Sequence, residues 1–193
     1  MGFLRGIFAF IGMLVVAGLI FAFVKFGSGV TSLDSKAMGL YANMFSNVLK
    51  TGNSADAMVR FKKVDPEVSN DDIKDIIESV ASDGNMQLVG DVTMFDGSPI
   101  DKSGKKTKYT RIFSLCSRPI AQNFLNYSMA YGAFMPCRIM LQEDDNGDRW
   151  LYTMDMGLMI HGGKPLPENM LKMAENVRDT IYAAMDKAAV GDF

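Results

Sequence analysis

The chain has 193 residues, a formal net charge of -2 and a pI near 5.4. That balance gives no basic footprint, so nucleic acid is not an expected partner. Two cysteines and one histidine exclude a disulfide scaffold, covalent haem attachment and the usual histidine-rich metal sites within one chain, so no metal or cofactor is expected.

The first element is an apolar run from Ile7 to Val24, 18 residues without a charge. As a helix it covers about 27 Å, close to the roughly 30 Å of a bilayer's hydrocarbon core, which predicts a transmembrane anchor over residues 1–27. A cleaved secretory signal has a shorter apolar core and a small-x-small site just beyond it, and Lys25-Phe26-Gly27-Ser28-Gly29-Val30-Thr31 offers none. Gly18 and Ala22 form a small-x-x-x-small pair suited to packing against another membrane helix. Arg5 and the amino terminus face Lys25 and Lys36 across the span, a near tie that leans toward an N-inside anchor delivering the remainder outside the cytoplasm.

Residues 28–56 read as a connector. Met38, Tyr41, Phe45 and Val48 recur at helical spacing between Asp34 and Leu49, predicting an amphipathic helix that Thr51-Gly52-Asn53-Ser54 ends. One soluble domain, residues 57–193, follows. Ala57 to Val64 alternates as a strand; Ser69-Asn70-Asp71-Asp72 caps a helix carrying Ile73, Ile76, Ile77 and Val80; and Met86 to Phe95 is a second strand. After a polar loop with Lys102, Lys105, Lys106 and Lys108, a third strand runs from about Lys108 to Cys116. Pro119 opens a helix extending to Gly132. A fourth strand starts at Cys137, and the Asn146-Gly147 pair predicts a hairpin to Arg149–Met154. The run Asp144-Asp145-Asn146-Gly147-Asp148 has only a passing likeness to a calcium loop, since Arg149 replaces a glycine and the closing glutamate is missing. The last helix spans Pro167 to Ala189. This order predicts an α+β fold: a mostly antiparallel sheet covered by helices on one face, nearest to a ferredoxin-like layout.

Leu115-Cys116-Ser117-Arg118-Pro119, a helix, Met135-Pro136-Cys137-Arg138-Ile139, then an acidic-glycine hairpin and an aromatic strand together resemble the bacterial family called domain of unknown function 302, over roughly Ser69 to Ala189. Its Cys-Asn-Pro step is one residue longer here and lacks the asparagine. Some exported members share a His-Gly pair like His161-Gly162 and a Met-bearing terminal helix. The resemblance implies an extracytoplasmic bacterial location, here the inner membrane with the C-terminal domain in the periplasm, and no activity.

Candidate ligand-binding residues are Cys116, Cys137, Arg138 and His161. A strand-helix-strand crossover is expected to make the third and fourth strands parallel, which places Cys116 and Cys137 at opposite edges of the sheet, beyond disulfide reach. Both thiols then read as small buried hydrophobes, or Cys137 reads as a functional thiol beside the charge of Arg138. His161, placed in a loop without an identifiable partner, reads as structural or solvent-exposed. Met154, Met156 and Met159 suggest soft-metal ligation, but packing is the simpler reading, with Met154 and Met156 sharing a strand face. No catalytic residue is assigned. The leading expectation is a non-enzymatic accessory protein in the bilayer that binds an integral membrane protein or its own copy; the alternatives are thiol-dependent sulfur or redox handling and small-ligand or metal binding around Cys137 and His161.

Overall fold

The computed structural model describes residues 2–99 and 106–193. Helix α1 spans Gly2–Thr31, and its segment Arg5–Lys25 is long and apolar enough to cross a membrane. A Cβ added at Gly18 meets nothing within 4 Å; the side chain of Ala22 lies outside the described residues, as do Lys102 and Lys105 of the basic run. Helix α2, Ala37–Thr51, is the expected connector, closed by Gly52 at φ 69°, whose N–H bonds to the Val48 carbonyl at 2.8 Å.

A short 3-10 turn, Asp56–Met58, leads into β1, Val59–Lys63. Helix α3, Asn70–Asp83, starts where its sequence demands: the Ser69 hydroxyl accepts the Asp72 N–H at 3.0 Å while the Asp72 carboxylate accepts the Ser69 N–H at 3.2 Å. Strands β2, Gln87–Phe95, and β3, Thr110–Cys116, come next. Helix α4, Arg118–Tyr127, has Pro119 in its first turn. It stops short of the expected Gly132 because Ser128 is extended, with φ -158°, and its hydroxyl accepts the Ala130 N–H, so the chain continues as a 3-10 turn over Met129–Phe134. Strands β4, Cys137–Glu143, and β5, Arg149–Met154, form the predicted hairpin. The acidic run at its tip is a turn: the Asp144 carboxylate accepts N–H groups of Asn146 and Asp148 and the Trp150 indole N–H. Helix α5, Gly157–His161, precedes the long α6, Glu168–Val190.

The five strands order as β1-β5-β4-β3-β2, every neighbouring pair antiparallel. Alternation then sorts the side chains. Phe113, Leu115, Ile139, Leu141 and Leu151 share one face and are fully buried beneath Ile73, Ile76 and Ile77 of α3 and Ile181, Ala184 and Met185 of α6. This α+β sheet is covered by helices on one face, as expected. Gly84 sits where α3 meets α6, and a Cβ there would lie 2.3 Å from the Thr180 hydroxyl oxygen, so no larger residue fits.

Candidate functional site

Cys116 and Cys137 lie at the same end of the sheet. Leu115 pairs with Cys137 across antiparallel β3 and β4, which overturns the expected placement at opposite edges. The physical reason is the path of the connection: at Ser128 helix α4 gives way to the 3-10 turn Met129–Phe134, which delivers Cys137 opposite Leu115. The connection therefore doubles back beside the end it left. Both cysteines are free and half-buried. Burial, and secondarily the neighbouring Cys116, push the Cys137 thiol up to about 11, and the opposing pull of Arg138 is weaker. Cys137 is thus a protonated thiol at neutral pH.

The two cysteines help line an apolar cavity of about 60 Å³ with Leu115, Phe124, Tyr131 and Met159. That is less than half the ~150 Å³ of a dry cavity that admits benzene. Beside it lies a cleft of about 680 Å³ between α2 and the domain, bounded by Met44, Asn47 and Lys50 on α2 and by Tyr131, Phe134 and Met159 opposite. Tyr131, Phe134 and Met159 belong to both walls.

Arg138 is one residue from Cys137 but projects from the other face of the sheet. Among the described residues that face carries no α-helix. It presents Phe61 (55% exposed) and Val92 (57% exposed), with Ile112, Met140, Trp150 and Tyr152 half-buried only by one another and by their neighbours. Phe61 bridges the Trp150 and Tyr152 rings at centroid distances of 6.0 and 5.8 Å. A groove of about 290 Å³ on this face is lined by Ile112, Met140, Tyr152 and Arg138. Sequence reading missed the patch, although the signal was present: Trp150-Leu151-Tyr152 and Ile139-Met140-Leu141 are apolar without alternation, as strands are when both faces need covering.

His161 is not in a loop: it ends α5 and is 4% exposed. Its Nδ1 lies 2.9 Å from the Asp34 carboxylate, so the ring donates there, while Nε2 is buried without a hydrogen bond, 4.0 Å from Glu175. Asp34 belongs to the segment between α1 and α2. Its N–H bonds to the Gly163 carbonyl at 2.8 Å, the Tyr41 hydroxyl donates to the Gly162 carbonyl at 2.9 Å, and Ala37 is fully buried. A Cβ added at Gly157 would lie 3.1 Å from Leu40, which shows how closely α2 sits on α5. The Lys36 backbone N–H and His161 hold the Asp34 carboxyl below the usual aspartate range. His161, Gly162 and Gly163 therefore clasp the connector to the domain, a role that needed Asp34, far away in sequence, to be visible. The structure brings Cys116 and Cys137 together, turns Arg138 to the other sheet face, where it shares a groove edge with Cys137, and leaves His161 apart. Met154 ends β5, whereas Met156 lies beyond it, 2% exposed in the core, so these two do not share a strand face. Among the described residues no group of three or more His, Cys, Asp or Glu side chains is arranged to hold a metal ion.

The sequence pattern of the family described as Domain of unknown function DUF302 matches residues 62–188. The chain belongs to the DUF302 family. No curated protein matches it. A crystal structure of an uncharacterized conserved DUF302 protein from Bacillus stearothermophilus is similar in fold, with a TM-score of 0.52 at 13% identity, covering 68% of this chain and 98% of that one. Helices α1 and α2, and the Asp34 half of the clasp, lie outside the residues that match the DUF302 pattern.

Proposed function

We propose that this DUF302 protein is a single-pass, membrane-tethered binding protein of the bacterial inner membrane, with its domain on the periplasmic side, acting as a non-catalytic partner of a membrane protein complex or of a second copy. The observation that carries this reading is the uncovered sheet face. Five antiparallel strands expose a contiguous aromatic and aliphatic surface around Phe61, Tyr152 and Met140, and such patches on a folded domain mark interaction surfaces. Aromatic side chains also dominate binding energy at protein interfaces. The apolar helix Arg5–Lys25 supports the tether.

Gentle detergent extraction tests the reading. Wild type should elute with a stoichiometric companion, and Phe61→Asp should lose it, by about 30-fold in affinity if Phe61 is worth the 2 kcal/mol of an interface hot spot. A wild-type chain running alone as a monomer refutes it.

The cleft between α2 and the domain favours a second reading, binding of a small amphiphile. Its volume of about 680 Å³ suits a metabolite-sized ligand, and Met44, Tyr131, Phe134 and Met159 give it apolar walls. Native mass spectrometry of the extracted protein tests this: a bound small molecule without a protein companion supports it over the first reading.

A further inference from the structure

Helix α2 has two apolar faces and one occupant. Ala37, Leu40 and Met44 turn toward the domain, the first fully buried and the others half-buried. Met38, Tyr41, Phe45 and Leu49 follow at intervals of three and four residues and stand 57%, 44%, 62% and 70% exposed. Residues so spaced share one side of a helix. Lys36, Asn43, Asn47 and Lys50 fall on the opposite side of the helix, where Asn43, Asn47 and Lys50 border the cleft, so the stripe has a polar face behind it, as in a helix lying in a membrane–water interface.

We infer, on the reading of α1 as a bilayer-spanning anchor, that the Met38–Tyr41–Phe45–Leu49 stripe of α2 lies in the headgroup and upper acyl region of the bilayer, and so holds the DUF302 domain against the membrane in one orientation. Chain length supplies the first support. The 30 residues of α1 extend about 45 Å, enough to cross a hydrocarbon core of about 30 Å and emerge through the headgroups. From Thr31 to Ala37 the backbone spans at most about 20 Å, so α2 starts within that reach of the membrane surface. The clasp supplies the second. Asp34, Tyr41 and Leu40 fix α2 to α5 through the contacts with His161, Gly162 and Gly157, so a helix seated in lipid carries the domain's orientation with it. Area argues against a second copy as the occupant. Four side chains of at most ~200 Å² each, about half exposed, offer roughly 400 Å², half of what each partner buries in a stable protein interface.

The test uses the full chain in phosphatidylcholine vesicles, with and without bromine on the acyl chains. Tryptophan placed in the stripe, Phe45→Trp, should lose about half its added emission in brominated vesicles, and Asn43→Trp on the opposite, polar side should lose little; Leu49→Trp repeats the stripe measurement if the first variant misfolds. Alkaline washing of the same vesicles reports separately on the anchor. A chain that resists the wash while tryptophan at 45 and 49 is unquenched overturns the interfacial helix and leaves the tether standing. Blue-shifted but unquenched emission overturns it in favour of a protein neighbour. Extraction by the wash overturns both.

Discussion

Asp34→Ala tests whether the connector is part of the folded body. In wild type the Asp34 carboxylate accepts the His161 Nδ1–H at 2.9 Å and the Lys36 N–H at 2.8 Å, with its side chain only 12% exposed. A hydrogen bond to a charged group contributes about 1.5–3 kcal/mol. Truncation also strands a buried imidazole whose Nε2 already lacks a partner. At ~2 kcal/mol the equilibrium for undocking α2 rises about 30-fold, because each 1.4 kcal/mol is a factor of ten. Hydrogen exchange on the detergent-solubilised chain should show amides of residues 37–51 exchanging about 30-fold faster, with β3 and β4 unchanged. Asp34→Asn keeps an uncharged acceptor and should give a smaller increase, since charge-assisted bonds are roughly twice as strong as neutral ones. Unchanged protection of α2 in a folded Asp34→Ala chain would refute the clasp. Acid acts in the same direction. The docked Asp34 carboxyl titrates below the ordinary aspartate value of about 3.9, so its contribution is complete above that value and fades as pH falls through the lower, docked-state value.

Three further outcomes follow from the domain itself. Gly84→Ala places a methyl 2.3 Å from the Thr180 hydroxyl oxygen in the α3–α6 contact; urea unfolding should show a loss of about 2 kcal/mol, partly recovered by Thr180→Ala. Asp91 holds Arg111 by two bonds of 2.8 Å, with the arginine side chain 13% exposed; Asp91→Asn should cost about 2 kcal/mol, and because Arg111 lowers the Asp91 carboxyl, wild-type stability should decline as pH drops below about 4 while the variant responds less. With its thiol at about 11, Cys137 is ~0.1% thiolate at pH 8, against roughly a quarter for an ordinary cysteine, so alkylation of the native protein should run at least ~200-fold slower than in urea. Fast native labelling of Cys137 would contradict the burial.

The elements were legible because their signals are local. Ser69 and Asp72 cap α3, Asn146-Gly147 turns the hairpin, and the 3.6-residue spacing of Ile73, Ile76 and Ile77 marks a core helix. What escaped depends on contacts distant in sequence. The antiparallel register of β3 and β4, which unites Cys116 with Cys137, turns on how a ten-residue helix and a 3-10 turn pack, and no periodicity encodes that. The partner of His161 stands 127 residues away, at Asp34. Phe61, Met140 and Tyr152 read as ordinary strand residues until the sheet showed that no α-helix among the described residues covers them.

Site-specific photo-crosslinking in intact membranes tests the binding role most directly. A photoreactive residue at position 61, on the uncovered face, should yield one discrete adduct, with an integral membrane protein or with a second copy of the chain, whereas the same residue at position 172, exposed on α6, should yield none. No adduct at 61, or the same adduct from both positions, would contradict the account.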